Sequence, residues 1–156
     1  MEWQPQLEAL GAAAIAMLLG GVIGYERELK QRPAGFRTHM LVAGAASLLL
    51  GIGQLVLSRE TAPHGLHVQV DPLRLVEAVI AGVSFIGAGT IFGRRGAASV
   101  AGITTAASLL MVAVIGVACG LRYYALALSA TVMTLLVLTL LNRLERWVGR
   151  DKQERD

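Results

Sequence analysis

Five apolar stretches divide this chain, and each is long enough to cross a bilayer as a helix. They run from about Leu7 to Gly24, Thr38 to Leu57, Leu73 to Phe92, Ser99 to Ala118 and Tyr123 to Leu141. A helix rises 1.5 Å per residue, so stretches of 18–20 residues approach the roughly 30 Å of a hydrocarbon core. With no water there to take up backbone N–H and C=O groups, such a stretch satisfies them as a helix. Composition agrees: 16% of the 156 residues are charged, against about 25% in soluble domains. This excludes an ordinary soluble enzyme and an intrinsically disordered chain, which needs low hydrophobicity and high charge. The expected fold is all-α: a polytopic membrane protein of five transmembrane helices. Residues 1–142 form the transmembrane domain and 143–156 a short charged tail.

Basic residues orient the bundle. Arg27, Lys30, Arg32 and Arg37 lie in or beside the first connection, Arg94 and Arg95 in the third, and Arg143, Arg146, Arg150, Lys152 and Arg155 in the tail. The opposite side holds Arg59, Arg74 and Arg122. The expected orientation has the N-terminus outside and the C-terminus cytoplasmic. The first stretch begins with acidic Glu2 and Glu8, and its basic residues follow it, so it reads as a retained span rather than a cleaved leader. The net charge of +3 reflects this topology, and no nucleic-acid partner is expected.

The chemistry-bearing residues are few. Cys119 is the one cysteine, which excludes an intramolecular disulfide. His64 and His67 stand at i, i+3 near Asp71, but Pro63 and Gly65 argue for a solvated loop over a preformed metal site. No Ser-His-Asp spacing, P-loop or paired zinc-ligand spacing is present. The expectation is no enzyme, no cofactor and no resident metal.

A short internal similarity directs attention to one end of the bundle. Ala34-Gly35-Phe36-Arg37-Thr38 opens the second span, and Ala101-Gly102-Ile103-Thr104-Thr105 lies near the start of the fourth. Ile23-Gly24 echoes Ile86-Gly87. The chain therefore reads as two parallel helical hairpins plus a fifth helix. The alignment sets Glu26 against Gly89, Arg37 against Thr104 and Thr38 against Thr105, a charged half facing a small, hydroxylated one. Glu26, Arg27, Arg37, Thr38, Gly87, Gly89, Thr104, Thr105 and Ser108 become the candidate ligand or regulatory pocket. A Glu26–Arg37 pair closing the first hairpin is one reading of the charges; the Gly87-Ala88-Gly89 run reads first as tight helix packing, with a local helix break as the functional alternative. Interfacial snorkelling is the alternative for the charges.

Asp71, Arg74 and Glu77 form a second, outer charged group, with Glu77 in reach of Arg74 or Arg122. Gly20-xxx-Gly24, Gly89-xxx-Gly93 and Gly116-xxx-Gly120 are spacings that let helix backbones approach closely in lipid.

Taken together, Gly21-Val22-Ile23-Gly24-Tyr25-Glu26-Arg27-Glu28, Ala34-Gly35-Phe36-Arg37-Thr38, Asp71-Pro72 with Arg74, Gly82-Val83-Ser84-Phe85-Ile86-Gly87-Ala88-Gly89 and Gly102-Ile103-Thr104-Thr105-Ala106-Ala107 resemble the MgtC/SapB family of bacterial inner-membrane proteins. The resemblance covers spans one to four. It implies a five-helix domain with a cytoplasmic C-terminus, and links to growth at low magnesium and survival in macrophages. It also implies an F-type ATP synthase as one membrane-protein partner.

Three features depart from the virulence-associated members. The chain ends about fifteen residues after the fifth span, where those members carry a soluble domain; Thr104 and Met111 stand where they have Asn and a nearby Cys; and Glu77 is charged. The short, SapB-like form is the expectation. Two functions follow: a non-enzymatic regulator of magnesium or ion homeostasis or membrane energetics, working through helix contacts with a partner or as a homodimer, and a small transporter or channel with its pocket between the hairpins.

Overall fold

The computed structural model describes residues 3–60, 71–92 and 102–153, with side chains described to residue 57 in the second helix and residue 140 in the fifth. Five helices follow one another: α1 (Gln4–Leu29), α2 (Phe36–Glu60), α3 (Pro72–Phe92), α4 (Ile103–Gly120) and α5 (Tyr124–Gln153). Among the described residues there is no strand. The first four are long and apolar enough to cross a membrane. The described apolar part of α5, Tyr124–Leu140, lies at the short end of the roughly 17–25 residues that a span uses. Beyond Leu141, where the fifth span was expected to stop, α5 continues to Gln153; the added sequence has no proline and is rich in Leu, Arg, Glu, Lys and Gln, which favour helix.

Helix ends follow local chemistry. Asp71 Oδ1 accepts the Leu73 N–H at 2.9 Å and starts α3 beside Pro72. α4 begins at Ile103, where Gly102 before it takes φ +100°, a conformation reached freely only by glycine; Ser99, the expected start of this span, lies outside the described residues. A Cβ on Gly102 would also sit 2.5 Å from the Thr90 carbonyl oxygen. α1 and α4 end alike, with left-handed Gln31 (φ 52°) and Arg122 (φ 66°). The Arg32 and Tyr123 N–H groups reach back to the Arg27 and Ala118 carbonyls at 3.0 and 2.8 Å. These are Schellman caps built without glycine.

α4 is the hub. Its span is 61% buried against 17% for α3, and it enters both buried clusters. One joins Ala16 and Ile23 of α1, Ala43 of α2, Val112 and Ile115 of α4, and Ala127 and Leu138 of α5. The other joins Ala46 and Leu50 of α2, Val79 and Val83 of α3, and Leu109, Ala113 and Val117 of α4. Small residues bring the α2 and α4 backbones together: Gly116 lies against the Ala43 carbonyl, and a Cβ on Gly120 would sit 2.8 Å from the Ser47 carbonyl oxygen. Large apolar side chains such as Leu18, Phe85, Phe92, Leu126 and Met133 cover the outside. Such a surface suits lipid and would be a liability in water.

Charged pairs mark both rims. Arg122 Nη2 lies 2.6 Å from Glu8 Oε2 at one end, with exposed Trp3, Tyr123 and Tyr124 nearby in sequence. Glu26 pairs with Lys30 at the other. Glu8 and Glu26 stand on one helix, about 27 Å apart at 1.5 Å per residue, close to the thickness of a hydrocarbon core.

The expected pairing of hairpins has a geometric counterpart. α2 and α4 start in the same way, with the His39 N–H on the Gly35 carbonyl at 3.2 Å and the Ala106 N–H on the Gly102 carbonyl at 2.9 Å. A Cβ on Gly24 would meet the His39 Cβ at 2.9 Å, and one on Gly87 would meet the Ala106 Cβ at 3.2 Å. Under the alignment above, Gly24 corresponds to Gly87 and His39 to Ala106. The same residue pair closes both hairpins.

Candidate functional site

Successive helix residues point about 100° apart, and at the end of α1 three consecutive charges go three ways. Glu26 forms an ion pair with Lys30, one turn on. The Lys30 Nζ also donates to the Leu138 carbonyl at 2.9 Å, tying α1 to α5. Glu28 Oε2 accepts the Phe36 N–H at 2.9 Å. That carboxylate caps the α2 N-terminus, where the helix dipole favours negative charge.

Arg27 turns inward. It is 1% exposed, and its Nη2 donates to Thr105 Oγ1 of α4 at 3.0 Å. Its Nε has no hydrogen-bond partner, and among the described residues no carboxylate lies within ion-pair distance. The two neighbouring carboxylates are engaged elsewhere. Hence the expected Glu26–Arg37 pair does not form: Lys30 sits one turn from Glu26, and Arg37 lies on the exposed surface.

Beside Arg27 is His39, wholly buried. Its Nδ1 is 2.9 Å from the Gly35 carbonyl, which only accepts, so Nδ1 carries a hydrogen. Its Nε2 is 3.1 Å from Ser108 Oγ, and Ser108 Oγ is 2.8 Å from the Thr105 carbonyl. The hydroxyl has one hydrogen to give. With neutral His39, Nε2 and the Thr105 carbonyl compete for it. Ser108 Oγ therefore stands between the His39 ring and the Thr105 carbonyl as the shared polar link of α2 and α4. One polar cluster thus joins α1 (Arg27), α2 (His39) and α4 (Thr105, Ser108).

Of the residues grouped from the sequence, the structure places Arg27, Thr105 and Ser108 in one cluster, and it adds His39, which that grouping did not include. Its signal was Gly20-xxx-Gly24: a Cβ on Gly20 would lie 2.6 Å from the His39 carbonyl oxygen, and one on Gly24 would press on the His39 Cβ. The small residues seat this histidine's backbone. Lys30 was also missed, its partner in α5 being far away in sequence.

Other expected members lie elsewhere. Arg37, Thr104 and Gly89 are exposed, and Thr38 is half-buried. Gly87 is buried against Ala106. The Gly87-Ala88-Gly89 run is packed and not broken: α3 runs unbroken from Pro72 to Phe92, and Thr90 Oγ1 donates to the Gly87 carbonyl at 2.7 Å. Asp71 is a helix cap, and Arg74 and Glu77 are exposed. Glu77 pairs with neither Arg74 nor Arg122, since Arg122 is held by Glu8. His64, His67, Gly93, Arg94, Arg95 and Ala101 lie outside the described residues, as do the side chains of the charged tail.

The cluster is confined to the hairpin end of the bundle. Further along α2 and α4, backbone meets backbone at Gly116 and Ala43 and again at Gly120 and Ser47. Val112, Ile115 and Leu50 fill the remaining space.

Comparison with known proteins places residues 13–147 within the model of the MgtC family. Over 134 residues the chain is 37% identical to YhiD of Escherichia coli K12, whose name proposes a magnesium transporter; the match covers 83% of this chain and 59% of YhiD. It is 34% identical to protein SapB of Bacillus subtilis, over 100% of this chain and 66% of SapB. Against protein MgtC of Brucella abortus it is 36% identical, over 92% of this chain and 56% of that protein. The chain thus spans about three-fifths of the length of these relatives. No solved structure matches it.

Proposed function

The chain belongs to the MgtC family, and from that membership we propose that it serves magnesium or ion homeostasis, or membrane energetics, as a non-enzymatic regulator acting through helix contacts with a membrane partner. The carrying observation is the seal beyond the polar cluster, where α2 and α4 touch backbone to backbone at Gly116 and Gly120. A conduit for a hydrated ion needs polar, open lining across the bundle. This cluster opens onto close-packed apolar residues and holds the Arg27 cation at its centre, which repels Mg2+ or K+.

In this reading Arg27, His39, Thr105 and Ser108 set how α1, α2 and α4 sit together, and the partner contacts the lipid-facing side of α3. There Phe85 and Phe92 are 81% and 75% exposed, and a Cβ on Gly89 would meet open space. The partner is a second copy or another membrane protein, of which an F-type ATP synthase is one. The N-terminus lies outside a bacterial inner membrane and the cluster near its cytoplasmic face. A small transporter remains the competing function, and the name of YhiD favours it.

Ion flux separates the two. Purified protein in liposomes, with magnesium, potassium and proton reporters, is expected to give no flux above empty vesicles. Flux that Arg27→Gln alters would overturn the regulator and place a pathway at the cluster. With no flux, crosslinking from Phe85 in native membranes is expected to capture a discrete partner.

A further inference from the structure

The α2 and α3 helices touch at one end and part toward the other. They meet where Leu75 packs directly on Gly53. Toward the Arg27 cluster, Gly87 leans on Ala106 of α4 and not on α2. Between the two helices runs an apolar groove of about 370 Å3, with Leu41, Ala45 and Leu49 on one wall and Ala78, Gly82 and Ile86 on the other. No charged side chain lines it. From Leu41 to Leu49 it is about 12 Å long at 1.5 Å per residue, against about 15 Å for the hydrocarbon of one leaflet.

At the open end stands Arg37, one turn before Leu41 on the same ridge of α2. It is exposed and has no ion-pair partner among the described residues. In the first turn of α2 its charge gains nothing from the helix dipole, whose N-terminal end is positive. An anion from outside the chain is the natural counter-charge. A transmembrane helix of a second copy would need a channel of about 30 Å, which the Leu75–Gly53 contact closes off. A single acyl chain needs only one leaflet's depth.

We infer that this groove and Arg37 form a binding site for one anionic phospholipid, an acyl chain lying between α2 and α3 and its phosphate on the Arg37 guanidinium. The site is separate from the Arg27 cluster and holds whether the protein regulates or transports.

The test is lipid retention by the intact chain, read by native mass spectrometry from micelles holding equal dioleoyl phosphatidylglycerol and phosphatidylcholine. Wild type is expected to keep one phosphatidylglycerol with about fivefold preference, the effect of one basic group near an anionic surface. Arg37→Gln should bring the preference to about one, and Arg37→Lys should keep it. Gly82→Leu should also abolish it by filling the groove; a Cβ there meets nothing within 4 Å, and an unchanged melting temperature in detergent checks that the variant is folded. No preference in wild type, or a preference that survives either Arg37→Gln or Gly82→Leu, overturns the site. So does a dimer dispersed by Gly82→Leu with lipid retention unchanged, which would assign the groove to a second copy.

Discussion

Arg27 and Thr105 stand 78 positions apart in the chain, and the guanidinium of one donates to the hydroxyl of the other at 3.0 Å in the buried interior. That bond fixes the last turn of α1 against the first turn of α4. It leaves a cation in the bundle without a carboxylate in ion-pair range. A buried charge of this kind is a poor device for stability, since desolvating it costs several kcal/mol and an apolar residue of similar size often does as well. Its presence therefore points to function.

Arg27→Met tests that distinction. The variant keeps bulk and removes charge, so it is expected to insert, accumulate and melt in detergent at or above the wild-type temperature. Activity in a low-magnesium growth or ion-homeostasis assay is expected to be lost. A fall in melting temperature matching the loss of activity would make Arg27 scaffold.

Thr105→Val removes the hydroxyl and keeps the shape, stranding Arg27 without its acceptor. The expected cost is about 1–3 kcal/mol, and Thr105→Ser should recover most of it. In the double variant Arg27→Met, Thr105→Val the cost should be smaller than the sum of the two single changes, because no stranded donor remains. Additive losses in chemical denaturation would show that the two residues act independently.

Much of the architecture could be read before any coordinates, because lipid leaves helices as the one simple answer to an apolar stretch of bilayer length. The charges were harder. Glu26, Arg27 and Glu28 are adjacent, and the sequence says that helix geometry spreads them but not where α2, α4 and α5 will stand. So Glu26 was matched with Arg37 across the hairpin, when Lys30 one turn away held it. His39 belongs to no spacing motif in the sequence; its burial depends on α4, whose Ser108 lies 69 positions on. The Gly87-Ala88-Gly89 run reads as packing with a break as the alternative, and the contact of Gly87 with Ala106 agrees with packing. Sequence periodicity reports which face is apolar, while polar partners come from three-dimensional arrangement.

Glycines that look alike in sequence should respond differently to alanine. At Gly24 the new Cβ would lie 2.8 Å from the Phe36 Cα and 2.9 Å from the Gly35 carbonyl oxygen, both backbone. The hairpin must open to admit it, at about 1–3 kcal/mol, and His39 shifts with it. At Gly89 the added methyl meets nothing within 4 Å, and stability should stay within about 0.5 kcal/mol. Melting temperatures of the two variants in the same detergent check this. Equal losses would mean that Gly89 is covered, as by a partner copy in the purified protein.

The α1 cap offers a change in the stabilising direction. Gln31 holds φ 52° while the Arg32 N–H reaches the Arg27 carbonyl at 3.0 Å. A side chain in that left-handed conformation costs about 1–2 kcal/mol, and glycine does not incur it. Against this, glycine loses more freedom on folding, by about 0.5–1 kcal/mol. The balance for Gln31→Gly is a gain of roughly 0.5–1 kcal/mol, or about 1–4 °C in melting temperature for a chain of this size. Gln31→Val should move the other way, because a β-branched side chain fits φ > 0 worst. Since the cap lies directly beneath Arg27, activity should follow stability in both variants if Arg27 keeps its place. A stable Gln31→Gly protein without activity would show that the Gln31 side chain itself contributes to the cluster's function.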